Sequence, residues 1–201
     1  MKVSFIGLGV MGFPMAGHLS SKNNNLEIKV YNRSIEKSEK WISKFNGFLS
    51  TTPSEAAKDC DIVFMCVGND NDLDQVVRGE NGIISSIPEG SIIVDHTTAS
   101  ARITKELYNY CKSSKNVSFI DAPVSGGQAG AENGQLTIMV GGDEQIYLKI
   151  KPLLQSYAKN STLIGNSGSG QLAKMVNQIC IAGLLQGLSE AINFGQKVNL
   201  D

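Results

Sequence analysis

Apolar and polar residues alternate along this chain in a way that predicts strands and helices in turn. Short, nearly continuous apolar runs bounded by turn residues indicate buried strands, and longer stretches with apolar positions three and four apart indicate helices. The predicted strands lie at residues 3–6, 26–31, 46–49, 61–67, 90–95, 117–121, 136–140 and 161–164. Strands that alternate with helices are typical of an α/β protein with a mainly parallel sheet.

Two parts of the chain depart from this alternation. The glycine-containing residues 122–134 are predicted to form a loop, and residues 171–198 are predicted to form one long helix. Residues 179–188 of that helix are apolar on almost every side, which predicts burial against several neighbours.

The turn after the first predicted strand carries three glycines in the spacing G-x-G-x-x-G. Gly7 allows the tight turn, Gly9 lets the backbone approach a phosphate, and Gly12 lets the following helix pack closely on the strand. A glycine-rich turn without a ligand is the alternative, but the strand before it and the helix after it favour a dinucleotide site. The predicted cofactor contacts are Gly7, Leu8, Gly9, Val10, Met11 and Gly12.

The residues that follow the second strand, Asn32, Arg33 and Ser34, predict which dinucleotide binds. An acidic residue here would hold the 2′-hydroxyl of NAD, whereas the neutral Asn32 does not repel a 2′-phosphate. Arg33 can bind that phosphate and stack on adenine, and Ser34 offers a hydroxyl. The alternative is a helix start in which Ser34 is the N-cap and Arg33 is solvated. The sequence favours NADP, with NAD as the less favoured cofactor.

Further cofactor contacts are predicted where other strands end, because open α/β sheets bind ligands at the carboxyl ends of their strands. Cys66 and Val67 end one strand, Asn71 lies in the loop after it, and Thr98 follows the next strand. For Asn71 a polar turn or helix cap is an equal alternative, and Thr98 or Ser100 could simply be an N-cap.

Two later segments carry candidate substrate-binding and catalytic groups. A serine followed by two glycines offers a hydroxyl and exposed amides that can hold a carboxylate, although plain turns share this composition. On the long helix, a lysine and two amide side chains at i, i+3 and i+4 project from one face. A lone lysine is usually solvated, but this grouping favours a polar cleft. The candidates are Ser125, Gly126, Gly127, Lys174, Asn177 and Gln178.

Composition and charge argue against several classes of function. With 18 Lys+Arg against 19 Asp+Glu the formal net charge is −1, so nothing indicates general attraction to nucleic acid or to an anionic membrane. The four cysteines form no C-x-x-C pair, and the two histidines lack a metal-ligand spacing, so we expect no metal site. Scattered cysteines, and a first strand that begins at the N-terminus without a leader, predict a cytoplasmic location.

Three segments together resemble the β-hydroxyacid dehydrogenases, the 3-hydroxyisobutyrate dehydrogenase family that includes tartronate semialdehyde, glyoxylate and succinic semialdehyde reductases. The segments are residues 7–16, 121–127 and 170–178, in the family order. The resemblance implies a Rossmann-type, doubly wound, mainly parallel sheet in residues 1–165, followed by a long interdomain helix within residues 166–201. It also implies an all-helical domain that completes the substrate pocket, most of which would fall outside a chain ending at Asp201.

The resemblance also implies an activity, namely hydride transfer between NADP(H) and a short β-hydroxyacid or semialdehyde. Residues 125–127 would hold the substrate carboxylate, Lys174 would act as general acid and base, and Asn177 and Gln178 would position the substrate. Many members carry a second asparagine at position 178, and some semialdehyde reductases have glutamine there. The implied partners are a small carboxylate-bearing substrate and further copies in a homodimer or higher homo-oligomer.

Two alternatives stay open beside this activity. Imine reductases share the architecture and the glycine turn but usually lack a lysine at position 174. The chain could also be a catalytically incomplete nucleotide-binding fragment or scaffold.

Overall fold

A computed structural model describes residues 1–200 and shows an α/β fold built on one sheet. The strands are β1 (Lys2–Ile6), β2 (Glu27–Tyr31), β3 (Phe48–Leu49), β4 (Ile62–Met65), β5 (Ile92–Asp95), β6 (Ser118–Asp121), β7 (Val124–Ser125), β8 (Leu136–Gly141) and β9 (Ala158–Gly165). The helices are α1 (Gly12–Lys22), α2 (Ile35–Ile42), α3 (Pro53–Ala57), α4 (Asp70–Arg78), α5 (Ala101–Lys115), α6 (Gly127–Glu132), α7 (Glu144–Leu154) and α8 (Ser169–Lys197), with a 3₁₀ turn at Ile83–Ser85.

The sheet is parallel over most of its width, which confirms the predicted class. Its strand order is β3-β2-β1-β4-β5-β6-β8-β7, with β9 paired to β8. The strands from β3 to β6 are all parallel, and β8 runs antiparallel to β6 and β7. Ile6, Met65, Asp95 and Asp121 are register partners at the ends of neighbouring strands. One edge of the sheet therefore collects the carboxyl ends of β1, β4, β5 and β6.

Apolar side chains fill both faces of the sheet, because successive residues of a strand point to opposite sides. In β4, Ile62 and Phe64 join the core under α1, α2 and α7, whereas Val63 and Met65 join the core under α3, α4 and α5. The continuous apolar sequence of this strand follows from its burial on both faces.

The expectation that residues 122–134 form one loop is wrong. Val124 and Ser125 form the short strand β7 opposite β8, and Gly127–Glu132 is helix α6. Gly126 and Gly127 have positive φ angles of 132° and 60°, a turn that glycine allows between the strand and the helix. Both elements are too short to leave a periodic signal in the sequence, and tertiary pairing with β8 determines them.

Helix α8 is anchored at its first turn and exposed beyond it. Gly170 and Gln171 are buried, but Ile179 and Leu184 are each 71% exposed. The burial predicted for residues 179–188 is therefore not found among residues 1–200, because no other element of this part of the chain packs along that stretch. No helix within residues 1–200 combines the length and the apolar character that crossing a membrane requires.

Candidate active site

The glycine turn between β1 and α1 is shaped by contacts that leave no room for side chains. Gly7 has a φ angle of 92°, and its amide donates to the carbonyl oxygen of Tyr31 at 2.8 Å. A Cβ atom on Gly7 would overlap the carbonyl oxygen of Cys66, and one on Gly12 would overlap the carbonyl oxygen of Gly7. A Cβ on Gly9 would meet nothing within 4 Å. Two glycines thus close the turn, and the third faces open space that a ligand can enter.

A cleft of about 640 Å³ opens above this turn, within the size range of ligand pockets. It runs from the glycine turn, past the end of β2, to the far end of α4. Ten of the thirteen predicted cofactor contacts line it, namely Gly7, Gly9, Val10, Met11, Gly12, Asn32, Arg33, Ser34, Cys66 and Val67. The structure therefore brings most of the predicted cofactor residues together around one open space.

Asn32 holds the glycine turn in place. Its Oδ1 atom accepts a hydrogen bond of 2.9 Å from the amide of Leu8, and its Nδ2 atom donates to the carbonyl oxygen of Ser34 at 3.0 Å. Leu8 itself is buried and does not line the cleft. The sequence identified Asn32 by its neutral charge alone, and its bond to the turn depends on β1 and β2 lying side by side.

Arg33 and Ser34 lie at the mouth of the cleft. The Arg33 side chain is 86% exposed, and its NH1 atom lies 3.1 Å from Oδ1 of Asp72. Ser34 occupies the N-cap position of α2, but its side chain makes no capping hydrogen bond. Ser34 is therefore at the N-cap position that the alternative interpretation gave it, without a capping bond, and Arg33 is largely solvated as that alternative expected.

Sequence reasoning missed several residues of the cleft. Lys37 lines it beside Arg33 and Ser34, and its position in the first turn of α2, three residues after the N-cap Ser34, was an available signal. The opposite wall could not be deduced from local sequence, because it comes from the residue after Val67, from α4 and from the segment after α4. That wall includes Gly68, Asp72, Gln75, Val76, Gly79, Glu80 and Asn81.

Two predicted cofactor residues, Asn71 and Thr98, do not line the cleft. Asn71 is exposed in the first turn of α4, and its amide donates to Oδ1 of Asn69, which is the N-cap. Thr98 is exposed, and Ser100 caps α5 by accepting from the amide of Ile103 at 3.2 Å. Of the two residues considered as the N-cap of α5, Ser100 is the cap and Thr98 is not. The N-cap of α4 is Asn69 and not Asn71.

Lys174 lies against β7, the short strand that carries Ser125. Its Nζ atom donates a hydrogen bond of 2.8 Å to the carbonyl oxygen of Val124. Partial burial lowers the pKa of Lys174 below its ordinary value, because it disfavours the charged ammonium. The structure thus brings together two candidates that are 49 positions apart in the numbering of the chain.

The substrate candidates Gly127, Asn177 and Gln178 do not line the cofactor cleft. Asn177 is half-buried, and its Oδ1 atom is buried without a hydrogen-bond partner among residues 1–200. Gln178 is exposed, and a Cβ on Gly127 would meet nothing within 4 Å. Asn177 and Gln178 lie on the turn of α8 that follows Lys174.

A carboxylate and an amide fix helix α8 at that edge. Asp121, at the end of β6, accepts from the amides of Gly168 at 2.8 Å and Gln171 at 3.1 Å. The Gln171 side chain, only 1% exposed, contacts the backbone of Thr97 and Ala99. Thr97 in turn accepts from the amide of Val67, a residue of the cleft wall, at 3.0 Å. A continuous chain of hydrogen bonds therefore joins the cleft to the helix of Lys174.

Buried ionisable groups lie beneath the edge. Burial raises the pKa of Asp95 to about 7, and its Oδ2 atom has no hydrogen-bond partner within the described residues. Burial lowers the pKa of His96 to about 4. His96 Nδ1 lies 2.7 Å from the carbonyl oxygen of Ala122, which can only accept, so Nε2 accepts from the Tyr157 hydroxyl at 2.8 Å. His96 is a packed, neutral side chain.

Residues 1–200 contain no group of three or more His, Cys, Asp or Glu side chains that could hold a metal ion.

Burial also raises the pKa of the Cys66 thiol to about 12. The thiol stays protonated at neutral pH, and Cys66 contributes a neutral wall to the cleft.

Comparison with known proteins identifies the family. Residues 2–165 match the model of the NAD binding domain of 6-phosphogluconate dehydrogenase. An uncharacterized oxidoreductase of Shewanella frigidimarina (strain NCIMB 400) is 53% identical over 200 residues, which are 100% of this chain and 68% of that protein. The 2-hydroxy-3-oxopropionate reductase of Escherichia coli (strain K12) is 35% identical over 201 residues, 100% of this chain and 67% of the relative. The chain thus spans about two thirds of these relatives.

Solved structures give the same result. Mycobacterium tuberculosis 3-hydroxyisobutyrate dehydrogenase with L-serine has a TM-score of 0.89 and 25% identity, over 100% of this chain and 66% of the other. Psf3 in complex with NADP+ and 2-OPP has a TM-score of 0.88 and 27% identity, over 99% and 69%. An imine reductase variant from Myxococcus stipitatus, at TM-score 0.89 and 17% identity over 100% and 67%, shares the fold alone. The chain therefore belongs to the 3-hydroxyisobutyrate dehydrogenase family of NAD-binding oxidoreductases.

Proposed function

We propose that the protein transfers a hydride between NADP(H) and a short β-hydroxyacid or its semialdehyde, with Lys174 as general acid and base. One observation carries this proposal: the Nζ atom of Lys174 is held 2.8 Å from the carbonyl oxygen of Val124, beside Ser125. Val124 follows β6, whose carboxyl end shares one sheet edge with those of β1 and β4, and this supports a substrate site beside the cofactor.

The cleft fits a dinucleotide. The amides at the start of α1 and the open space over Gly9 suit a pyrophosphate. Arg33 and Lys37 provide positive charge at the mouth of the cleft, and Asn32 adds no negative charge there. These groups favour the 2′-phosphate of NADP, as does the presence of NADP+ in the similar protein Psf3. When bound, the nicotinamide ring supplies or accepts the hydride.

Residues 125–127 are proposed to hold the substrate carboxylate. The Ser125 side chain lies at the end of β7, and the positive φ angles of Gly126 and Gly127 turn the backbone at the start of α6. A serine hydroxyl and backbone amides form charge-assisted hydrogen bonds to a carboxylate, and this orients the reacting carbon. Asn177 and Gln178, on the next turn of α8 after Lys174, are proposed to position the rest of the substrate.

Lys174 is proposed to move the proton of the reaction. In reduction its ammonium donates to the alkoxide oxygen as that oxygen forms, and in oxidation the neutral amine removes the hydroxyl proton. A free lysine has a pKa near 10.4, so proton exchange near neutral pH benefits from the lowering that partial burial produces. The bond to Val124 keeps Nζ beside the proposed carboxylate site.

The exposed face of α8 and the four cysteines support a proposal for partners and location. The exposed apolar surface of α8, with Ile179, Leu184 and Phe194 each more than 60% exposed, suits coverage by further helices in a homodimer or higher homo-oligomer. Cys60, Cys66, Cys111 and Cys180 are all free, which suits the reducing cytoplasm.

The test measures cofactor binding and turnover separately. NADPH and NADH are titrated into this chain by following nucleotide fluorescence, and a panel of small semialdehydes is assayed by NADPH oxidation with the protein expressed at its full native length. We expect tighter binding of NADPH and turnover of at least one semialdehyde. Binding without turnover on this panel and on a parallel panel of imines supports a nucleotide-binding scaffold. Preferential reduction of imines supports an imine reductase, and tighter NADH binding overturns the cofactor assignment.

A further inference from the structure

A carboxylate and a guanidinium face each other across the mouth of the cofactor cleft. Oδ1 of Asp72, on α4, lies 3.1 Å from NH1 of Arg33, which follows β2. Both residues line the cleft. The two side chains therefore meet at the place where the 2′ position of the cofactor ribose is proposed to lie.

The Asp72 carboxylate is held more firmly than its partner. Its side chain is 29% exposed, against 86% for Arg33. Its Oδ2 atom accepts from Nδ2 of Asn69 at 3.3 Å, and it packs so closely on Gly68 that a Cβ there would overlap it. Asp72 also lies in the first turn of α4, where the helix dipole favours negative charge. Arg33 is thus the less constrained member of the pair.

We propose that Asp72 is a specificity-determining residue that opposes binding of the 2′-phosphate and so limits the preference for NADP over NAD. The inference rests on the proposed function, in which Arg33 binds that phosphate. A phosphate that binds Arg33 must either share the guanidinium with Asp72 or draw it away from Asp72. The phosphate and the carboxylate then lie close together and repel each other. NAD carries a hydroxyl at the same position, so its binding does not encounter this repulsion.

The charges around the mouth support this assignment. The cations that line the cleft within residues 1–200 are Arg33 and Lys37, and the carboxylates are Asp72 and Glu80. Only Asp72 is ion-paired with one of these cations in the described chain. Neutralising Asp72 therefore frees Arg33 and removes the nearest negative charge in one substitution.

The experiment compares Asp72→Asn with Asp74→Asn, a matched change two residues further along α4 at a carboxylate that pairs with Arg78 and does not line the cleft. NADPH and NADH are titrated into the wild-type chain and both variants at low and high salt. We expect Asp72→Asn to tighten NADPH binding by about 3- to 10-fold and NADH binding by less than about 2-fold, with a smaller gain at high salt. Asp74→Asn should change the affinity for NADPH and the affinity for NADH by no more than about 2-fold each.

A second background separates competition for Arg33 from a general change of charge. In Arg33→Ala, Asp72→Asn should give a smaller gain for NADPH, since there is no guanidinium to release. Three results for Asp72→Asn overturn the inference: an equal gain in NADPH affinity in the Arg33→Ala background, equal gains in affinity for both cofactors, or no gain in NADPH affinity. In each case, NADPH binding by the wild-type chain leaves the proposed function standing. A wild-type chain that binds neither cofactor overturns the proposed function and this inference together.

Discussion

The side-chain amide of Gln171 donates a hydrogen bond of 2.7 Å to the carbonyl oxygen of Thr97. Its Oε1 atom accepts from the amide of Ala99 at 3.1 Å, so one buried side chain satisfies two backbone groups of the loop after β5. Thr97 also bonds to Val67 in the cleft wall. The position of α8 relative to the cofactor cleft therefore depends on Gln171.

Gln171→Met should destabilise the protein while keeping its volume nearly unchanged. The substitution leaves a buried carbonyl oxygen and a part-buried amide without partners, which costs about 2–4 kcal/mol of unfolding free energy in total. Urea denaturation measures this change, with Gln155→Met on the exposed end of α7 as the control. A loss below about 0.5 kcal/mol would show that water replaces both bonds.

Gly9→Ala and Gly12→Ala should affect folding and binding differently. A Cβ on Gly12 would overlap the carbonyl oxygen of Gly7, so we expect a loss of at least ~2 kcal/mol of stability. A Cβ on Gly9 meets no atom of the protein within 4 Å, so stability should be unchanged. NADPH affinity should nevertheless fall by roughly 10-fold or more, because the methyl group occupies the space of the phosphates. Wild-type affinity of a folded Gly9→Ala variant would place the phosphates elsewhere.

Asp95→Asn should change how stability depends on pH. Burial raises the folded pKa of Asp95 from 3.8 to about 7, so its protonated form stabilises the fold fully below about pH 4. That contribution is lost as the pH rises towards 7, whereas asparagine stays neutral. The difference in unfolding free energy, variant minus wild type, should therefore rise by about 1.4 kcal/mol per pH unit between about pH 4 and 7. Above about pH 7 this difference should stay constant.

His96 does not disturb the Asp95 comparison, because both proteins carry it. Its lowered pKa, about 4, gives a pH dependence of the opposite sign that cancels in the difference. Asp59→Asn, at an exposed position, controls for the loss of one carboxylate. A difference that stays constant from pH 4 to 8 would mean that Asp95 is ionised throughout.

Lys174→Ala should reduce turnover without weakening NADPH binding. Loss of a general acid costs about 10²- to 10⁴-fold in kcat, and Lys174 does not line the cofactor cleft. Stopped-flow NADPH oxidation by the full-length protein measures the rate, and Lys149→Ala at an exposed position of α7 is the control. Near-normal turnover of Lys174→Ala would assign the proton to another group.

The sequence predicted the parts of this fold that leave a local signal. The apolar run at β4 and the glycines at 7, 9 and 12 each follow from one stretch of chain. Helix α6 and the bond between Asn32 and Leu8 could not be predicted, because they depend on which strands become neighbours. Asp72 was missed for the same reason, since the fold, and not the separation of 39 positions along the chain, determines its distance from Arg33.

The exposed reach of α8 has a mechanical consequence. Its 29 residues extend about 44 Å, and the hydrogen bonds of Asp121, Gln171 and Lys174 fix only its first two turns. If the helix is rigid, a rotation of about 10° at the anchor displaces its far end by roughly 8 Å. A small rotation at the sheet edge would therefore move the outer turns of α8 much further than it moves the anchored turns.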